Sequence, residues 1–350
     1  MIWLPNIAVM KMNDRIELPL IEPLYGTYHH YGLTTSIVLD NQTIRNWFLS
    51  NAINLECNRK FLSGFTTPQI HVINAGILKS ELFEMINYQM QFLRGHVNFV
   101  IRNLLDAGYY IYFSGVDDYY VKGKSWYREK HFNHNGMICG YDRKEKTYCI
   151  YAYDSNWICQ KFWTPQKSFN KGREAMFKDG VYGSLCAIKP RQNMVAFSVE
   201  TALQGIVNYL DSGIKKYPED GEGNVRGIVV HEYIAKYVEK LYNGSIPYER
   251  MDRRVFRLIW EHKKVMLERI VNIEQSLNLT NGISEKYKRI VSEADTMRML
   301  YASHHMKRRD SVLPIIQKKL LNLMEQEREL LTMLVDKAEK ELESETLEVS

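Results

Sequence analysis

The residues that could do chemistry lie in a predicted β-hairpin over residues 126–157. Two runs of alternating apolar residues flank a charged turn at 142–146, a pattern typical of antiparallel strands. His131 and His134 lie at or just before the start of the first strand, and Asp154 ends the second. A five-residue turn would place His134 opposite Asp154, whose carboxylate would orient the imidazole as the base of an acyl transfer. A register that differs by one residue gives an ordinary polar hairpin instead, and spacing alone favours that second interpretation.

A second candidate is the segment TYHHYGLTTSI at 27–37, which reads as a loop leading into a helix over 34–51. A helix N-terminus carries a positive dipole and free N–H groups, which favour a thiolate or an oxyanion. The hydroxyl side chains, Thr34 among them, are predicted to cap this helix. We expect His30, Tyr31 and Thr34 to line the substrate site. Two adjacent histidines without further ligands rarely bind one ion, so no metal site is predicted.

The third candidate is GVDDYYVKGKSWY at 115–127, where two adjacent aspartates stand among aromatic residues. These carboxylates either contact an amine substrate or merely end a strand, and the second interpretation is favoured for each one taken singly. The aromatic density indicates a loop that packs over something rather than a free tip. We therefore assign Asp118, Tyr120 and Trp126 to substrate binding.

The five cysteines have no CxxC spacing, which argues against a zinc ribbon or a disulfide framework and favours the reducing cytoplasm. Cys57 is the least implausible thiol nucleophile, because Arg59 and Lys60 nearby are expected to lower its pKa, although nothing places it beside His134. Cys159 is expected to be partly exposed. The remaining cysteines lie in predicted apolar strands and are expected to be inert core residues: Cys139, Cys149 and Cys186.

The predicted secondary structure that must position these candidates changes near residue 190, from mixed strands and helices to helices. Before it, short runs rich in Tyr, Ile, Val and Phe predict strands at 109–116, 136–142, 147–154 and 183–190, and a longer segment at 80–108 has helical spacing. After it, helical spacing predominates at 194–214, 226–244, 253–277 and 311–343, and the acidic tail beyond 340 is expected to fray. The sequence thus predicts an α+β domain over 1–190 and an all-helical domain over 191–350.

Composition and charge narrow the function classes. At 350 residues, 45% hydrophobic and 25% charged, the chain fits a globular protein of two domains without a membrane helix or a secretory signal, and we expect it in the cytoplasm. The net charge of +5 is diffuse and concentrated in the first half, which argues against nucleic acid and fits an acidic protein partner.

One predicted helix of the second half offers a basic face to such a partner. Its arginines share one helical sector, and we consider them a docking face for an acidic carrier: Arg253, Arg254 and Arg257. A solvated amphipathic helix that pairs its own charges is the default interpretation of the same pattern.

The order of several short motifs resembles the butirosin biosynthesis protein H family. In the first half these motifs are Asp-Asp-Tyr-Tyr at 117–120, Trp-Tyr at 126–127, His-Phe-Asn-His at 131–134, Ile-Cys-Gly-Tyr-Asp at 138–142 and Tyr-Asp at 153–154. Met-Asp-Arg-Arg-Val-Phe at 251–256 and Trp-Glu-His-Lys at 260–263 resemble members found beside nonribosomal peptide and polyketide assembly genes.

The resemblance implies a papain-like cysteine-peptidase-type fold for the first domain. It also implies acyl transfer from an acyl or peptidyl carrier protein thioester to a small-molecule amine, with His134 as base and Asp154 as its orienter. The acyl group would arrive on the carrier's phosphopantetheine arm, and no tightly bound cofactor is implied. The family's nucleophilic cysteine would fall at the start of the first helix, near 29–32.

Positions 29–32 of this chain read His-His-Tyr-Gly, so the expected thiol is absent. A thioester is already activated, and His134 or His30 could deprotonate an amine for direct attack without an acyl-enzyme. The leading hypothesis is therefore an acyltransferase of natural-product biosynthesis that acylates an amine or hydroxyl. The alternative is a catalytically degenerate member that binds a carrier or a synthetase as an accessory protein. The missing nucleophile argues most strongly against a third class of function, a peptidase or amidase.

Overall fold

The chain forms two compact units of mixed α and β structure. The computed structural model describes residues 13–37, 42–64, 66–75, 82–156, 158–191, 195–211, 223–280 and 282–349. The first unit comprises Met1–Asp40 and Leu78–Asn193, and the second comprises Asn41–Ile77 and Met194–Ser350. We expected a single division near residue 190, whereas residues 41–77 belong with the second unit. No helix within the described ranges is both long and apolar enough to cross a membrane.

The strands of the described residues are β1 (Arg15–Glu17), β2 (Leu55–Asn58), β3 (Ile70–Val72), β4 (Phe83–Gln89), β5 (Tyr110–Asp117), β6 (Asn133–Asp142), β7 (Thr147–Tyr153), β8 (Cys159–Pro165), β9 (Ser184–Pro190) and β10 (Asn224–Arg226). The helices are α1 (His29–Thr35), α2 (Gln42–Asn51), α3 (Met90–Leu93), α4 (Val97–Asp106), α5 (Gln166–Lys178), α6 (Val199–Asp211), α7 (Val230–Tyr242), α8 (Arg254–Ser276), α9 (Ile283–Lys307) and α10 (Leu313–Val349). The α+β fold class is thus confirmed.

A seven-stranded antiparallel sheet organises the first unit. Its strand order is β4-β9-β5-β6-β7-β8, and β1 pairs with β6. The strands predicted from the runs of Tyr, Ile, Val and Phe are all present. The β6–β7 turn has four residues, since Asp142 pairs with Thr147, and a bulge at Cys139 then shifts the register so that Met137 pairs with Tyr151. Beyond the bulge, towards the open end of the hairpin, the two strands therefore pair in the register that a five-residue turn would give.

The core of the first unit lies where α4 and α5 cover this sheet. Both helices contribute buried apolar side chains to one cluster with β5, β6 and β7. Phe169 of α5 meets Phe113 and Tyr148 edge-on, with ring centroids 5.1 and 5.6 Å apart. Helix α1 packs against β6 and β7. These helices therefore cover the sheet whose strands carry the candidate residues.

Two helix predictions in this unit were wrong. Residues 83–89 form strand β4, because their burial alternates with period two and each residue pairs with one of β9. The first helix begins at His29 rather than near Thr34. The hydroxyls of Thr35 and Ser36 lie at its C-terminal end, where they donate to the carbonyls of Tyr31 and Leu33, so they do not cap its start.

The second unit is mainly helical, as predicted, with one small sheet. Its strands have the order β10-β2-β3, and α8, α9, α7 and α10 pack against one another. The four helices predicted after residue 190 are present, whereas α9 lies between two of them and was not predicted. Helix α10 continues to Val349 instead of fraying after 340.

A buried polar cluster ties the helices of the second unit together. The carboxylate of Glu327 on α10 accepts hydrogen bonds from Lys263 Nζ at 2.7 Å and the Tyr209 hydroxyl at 3.0 Å, and from the Tyr287 hydroxyl. His231 Nε2 lies 3.9 Å from the same carboxylate. Burial alone would raise the pKa of Glu327, but the charge of Lys263 lowers it to about 2. This carboxylate is therefore ionised and joins α10 to α6, α8 and α9.

Gly172 of α5 allows the helix to approach β5 closely. A Cβ atom at this position would lie 2.8 Å from the carbonyl oxygen of Asp117 and 3.0 Å from Val116 Cγ1. Intrinsic propensity predicts that Gly172→Ala stabilises the helix by about 0.5–1 kcal/mol. We expect instead a destabilisation of about 1–3 kcal/mol in chemical denaturation, because the helix must move away from the strand. Gly95→Ala is the control, since a Cβ atom at position 95 would extend into open space; a Gly172→Ala protein more stable than wild type would contradict the close contact.

Candidate functional site

The candidate site lies in the loop between β5 and β6. A bulge between Phe113 and Val116 shifts the β5–β6 register, after which Val116 pairs with His134 and Asp117 with Asn133. The chain then makes a single 3₁₀ turn over Asp118–Tyr120. The carboxylate of Asp117 accepts the backbone N–H groups of Tyr119 and Phe132 and so closes this loop at both ends. The turn directs the next carboxylate, that of Asp118, towards the start of β6.

His134, Asp118 and Lys124 form a compact polar cluster. His134 Nδ1 lies 3.0 Å from Asp118 Oδ2, and Lys124 Nζ lies 3.0 Å from Asp118 Oδ1. The side chains of Asp118 and Lys124 have no exposed surface, whereas that of His134 is 18% exposed. Lys124 Nζ also donates to the carbonyl of Asn135 at 2.6 Å, and the Ser125 hydroxyl donates to Asp118 Oδ2 at 3.4 Å. A buried carboxylate thus holds the ring of a partly accessible histidine.

The electrostatics favour a neutral imidazole. Burial lowers the pKa of His134 below its ordinary value of 6.5; the hydrogen bond to Asp118 opposes this shift, and the charge of Lys124 reinforces it. Burial likewise lowers the pKa of Lys124, which the charge of Asp118 opposes. With Nδ1–H donated to the carboxylate, the ring lone pair resides on Nε2. That tautomer is the one a general base requires.

Asp154, the expected orienter, has a different role. Its Oδ1 accepts the backbone N–H groups of Asn156 and Ile158, both at 2.9 Å, and its Oδ2 accepts from Gln160 Nε2 at 2.5 Å. The carboxylate therefore shapes the connection between β7 and β8. The sequence-based pairing of His134 with Asp154 is corrected accordingly: the carboxylate that contacts the ring of His134 is Asp118, which we had assigned to substrate binding.

The same loop carries a second histidine–aspartate pair. His131 Nδ1 lies 2.6 Å from Asp117 Oδ2, and its ring stacks on Tyr119 with centroids 4.3 Å apart. The side chain of His131 is 62% exposed, whereas that of Asp117 is buried. This pair differs from the His134 pair in that its histidine is largely solvated. The spacing of the sequence did not distinguish the two.

Helix α1 brings together part of the predicted substrate site. The rings of His30 and Tyr31 meet with centroids 4.2 Å apart, and His30 stacks on Tyr28 at 5.5 Å. Tyr31 is buried and His30 is exposed. The side chain of Thr34 lies outside the described residues. The start of the helix, where the family pattern places a thiol, is therefore occupied by aromatic and imidazole side chains.

Trp126 and Tyr120 lie on different sides of the β5–β6 loop. The ring of Trp126 lies 6.3 Å from that of Phe132, which in turn lies 5.2 Å from the ring of His134, so these rings form an aromatic wall beside the cluster. The ring of Tyr120 instead has Lys171 Nζ of α5 over it at 4.8 Å. Of the two predicted aromatic contacts, Trp126 is thus the one joined to His134.

Two of the three arginines proposed as a docking face are paired with neighbouring carboxylates. Arg254 makes two hydrogen bonds to the buried carboxylate of Asp252, at 2.9 and 2.8 Å. Arg257 Nε donates to Glu261 at 3.0 Å. Arg253 precedes the helix and is exposed. This arrangement matches the default interpretation of a helix that pairs its own charges.

Cys57, the thiol that the sequence favoured as a nucleophile, is not activated. Cys57 lies in β2, where it is fully buried, and burial followed by the charge of Glu56 raises the pKa of its thiol; the predicted lowering by Arg59 and Lys60 was wrong. Cys139 and Cys149 are buried neighbours with their sulfur atoms 3.6 Å apart. Cys159 and Cys186 are both partly exposed. This was predicted for Cys159, whereas Cys186 was expected to be a buried core residue.

Lys124 is the member of the cluster that sequence reasoning missed. The sequence signal for Lys124 is weak, because it consists only of a lysine that follows an Asp-Asp pair by six residues in a loop rich in aromatic residues. Among the described side chains, no group of three or more His, Cys, Asp or Glu residues is arranged to hold a metal ion.

No family model matches the chain, and no curated protein matches it.

Lys124 is expected to control the pKa of His134. In Lys124→Met the charge of Asp118 is no longer neutralised, so the imidazolium is stabilised and the pKa of His134 rises by about one unit or more. NMR titration of ¹³C-labelled histidine rings measures this, with the His134 signal assigned by its loss in His134→Asn. The wild-type midpoint should lie below 6.5.

Lys122→Met is the matched control, because Lys122 is an exposed lysine of the same loop and should leave the midpoint unchanged. An unshifted His134 midpoint in the Lys124→Met protein would show that the lysine does not set the charge of the cluster.

Proposed function

We propose that the protein is an acyltransferase of natural-product biosynthesis. It moves an acyl or aminoacyl group from a carrier-protein thioester to an amine or hydroxyl of a small molecule, with His134 as general base. The observation that carries this proposal is the contact of His134 Nδ1 with the buried carboxylate of Asp118 at 3.0 Å. Base and orienter stand in this relation in acyl-transfer enzymes.

The reaction needs one proton relay. His134 Nε2 removes a proton from the acceptor nitrogen or oxygen as this atom attacks the thioester carbonyl. The new C–N or C–O bond forms, the C–S bond breaks, and the imidazolium returns the proton to the leaving thiolate. Asp118 stabilises the imidazolium in between. Burial, reinforced by the charge of Lys124, keeps the pKa of the resting histidine below 6.5, so the ring is neutral at pH 7.

Further support comes from the elements around the base. The proposal includes a papain-like arrangement for the first unit, in which a helix lies against the central strands of an antiparallel sheet and the base lies at the start of one strand. Helix α1 packs against β6 and β7, and His134 is the second residue of β6. Trp126 and Phe132 supply an apolar wall for the acyl chain or the carrier's phosphopantetheine arm.

The proposed transfer is direct, without an acyl-enzyme. None of the five cysteines lies in α1, where a papain-like nucleophile would stand. Cys159 is hydrogen-bonded to the Tyr151 side chain, and a thiolate at this position would raise the pKa of Lys124. Cys159→Ala should therefore keep its activity, and loss of activity in this variant would replace direct transfer by a thiol route.

The same missing cysteine favours a second candidate function. A catalytically degenerate member would bind an acyl or peptidyl carrier protein, or a synthetase, without turnover. Carrier binding together with a rate equal to that without protein, for every loaded acyl group, would support this alternative over the enzyme. The diffuse positive charge of the first half suits either role, since carrier proteins of the proposed kind present an acidic surface.

His134 is expected to be essential, and His131 dispensable, for transfer. Acyl-loaded carrier protein is incubated with candidate amines, and the released thiol is measured. His134→Ala should lower the rate by about 10²–10⁴-fold, because the general base is lost. His131→Ala removes the neighbouring histidine and should remain within a few-fold of wild type. A His134→Ala rate equal to that of wild type overturns the assignment of the base.

The two aspartates provide a second, independent comparison. Asp118→Asn should lower the rate by about 10²–10⁴-fold, because it removes the charge that stabilises the imidazolium. Asp154→Asn keeps an oxygen able to accept the N–H groups of Asn156 and Ile158, and should retain activity. The reverse ranking would restore Asp154 as the orienter. In wild type, activity should fall as the pH is lowered through the pKa of His134, below 6.5.

A further inference from the structure

A cavity lies between the β5–β6 loop and helix α5, on the side of the loop that carries Tyr120. Its volume is about 490 Å³, within the range of small-molecule sites. The residues that line it are three tyrosines, three cations and one serine: Tyr119, Tyr120, Tyr127, Arg128, Lys167, Ser168 and Lys171. No carboxylate is among these lining residues.

The three cations of this cavity are not neutralised by acidic side chains. Arg128, Lys167 and Lys171 make no ion pair with any described residue, unlike Arg254 and Arg257 of the second unit. Lys167 and Lys171 are four residues apart on α5, so they project from the same face of the helix. Three positive charges around one cavity that no carboxylate lines create a local preference for an anion.

Tyrosine rings position two of these cations. Lys171 Nζ lies 4.8 Å from the ring centre of Tyr120, and Arg128 Cζ lies 5.1 Å from that of Tyr127. The backbone of Arg128 is left-handed, with φ of 60°, and its N–H donates to the carbonyl of Tyr119 at 3.1 Å. This conformation is unfavourable for a residue with a side chain, and such residues cluster at ligand-binding positions.

We propose that this cavity binds a small organic phosphate ester. A phosphate dianion offers several acceptor oxygens, which suit the guanidinium fork, the two ammonium groups and the tyrosine and serine hydroxyls. The volume exceeds what a bare phosphate fills, and the tyrosines provide aromatic surface for the organic part. Nucleotides and phosphopantetheine share this chemistry. The assignment does not rest on the proposed acyl transfer.

A neighbouring cavity limits where the phosphate can sit. This second cavity, of about 460 Å³, shares Tyr120 and Lys171 with the first but is also lined by Asp117, Glu174 and Asp179. The three carboxylates of this second cavity outnumber its two lysines, Lys171 and Lys178. We therefore expect the phosphate at the other end of the α5 surface, near Arg128 and Lys167.

Calorimetric titration of the full chain tests the proposal with matched probes. ADP and 4′-phosphopantetheine carry the phosphate; adenosine and pantetheine lack it; inorganic phosphate lacks the organic part. We expect at least one phosphate ester to bind about 10-fold or more tightly than its dephosphorylated form and than inorganic phosphate. The preferred ester identifies the source, and rising salt should weaken its binding. Equal binding of ester and dephosphorylated form, equal binding of inorganic phosphate, or no binding of either ester overturns the proposal.

Variants show whether the binding occurs in this cavity. Lys167→Met and Arg128→Met should each weaken binding of the preferred ester by about 10-fold or more, because each removes a charged hydrogen-bond donor. Lys130→Met is the matched control: Lys130 lies over the ring of Trp126 at 5.6 Å but outside the cavity. An equal loss of affinity in the control would overturn the site. Since binding is measured without turnover, the result is independent of whether His134 catalyses acyl transfer.

Discussion

The ion pair between Asp118 and Lys124 is the interaction on which the candidate site depends. Neither side chain has exposed surface, so water stabilises neither charge and each one requires the other. Removal of one partner from such a buried pair costs about 3–5 kcal/mol. The pair joins the 3₁₀ turn after β5 to the loop before β6, and it holds Asp118 where its second oxygen contacts His134. A charge-balanced carboxylate orients the histidine without forcing it to be protonated.

The β5–β6 loop presents two different chemical environments on its two sides. On one side the carboxylate of Asp118 is buried, its histidine is mostly covered, and Trp126 and Phe132 lie beside the ring. On the other side His131 is largely solvated, and the tyrosines and Arg128 of the loop face two lysines of α5. Pairs of ionisable groups acquire distinct roles when their environments differ in this way. The close approach of α5 at Gly172 places helix and loop next to each other.

Much of the secondary structure could be predicted from local patterns. The alternation in β5, β6, β7 and β9 and the helical spacing in α6, α7, α8 and α10 each reflect which face of the element is buried. The failures occurred where tertiary partners decide. Residues 83–89 contain apolar residues that suit either period, and pairing with β9 selects the strand. Residues 41–77 join the second unit, a long-range association that no local pattern encodes.

The sequence by itself determined the hairpin, the presence of His134 at its open end, and the absence of a cysteine at positions 29–32, because these follow from residue types and local spacing. Only the tertiary structure decided which carboxylate orients the histidine. From their positions along the chain, either Asp118 or Asp154 could supply the carboxylate that orients His134. The bulge in β5 and the turn after it bring Asp118 to the ring, whereas backbone N–H groups and Gln160 engage Asp154. Hydrogen-bond partners of buried carboxylates depend on contacts between distant segments, and spacing alone does not specify them.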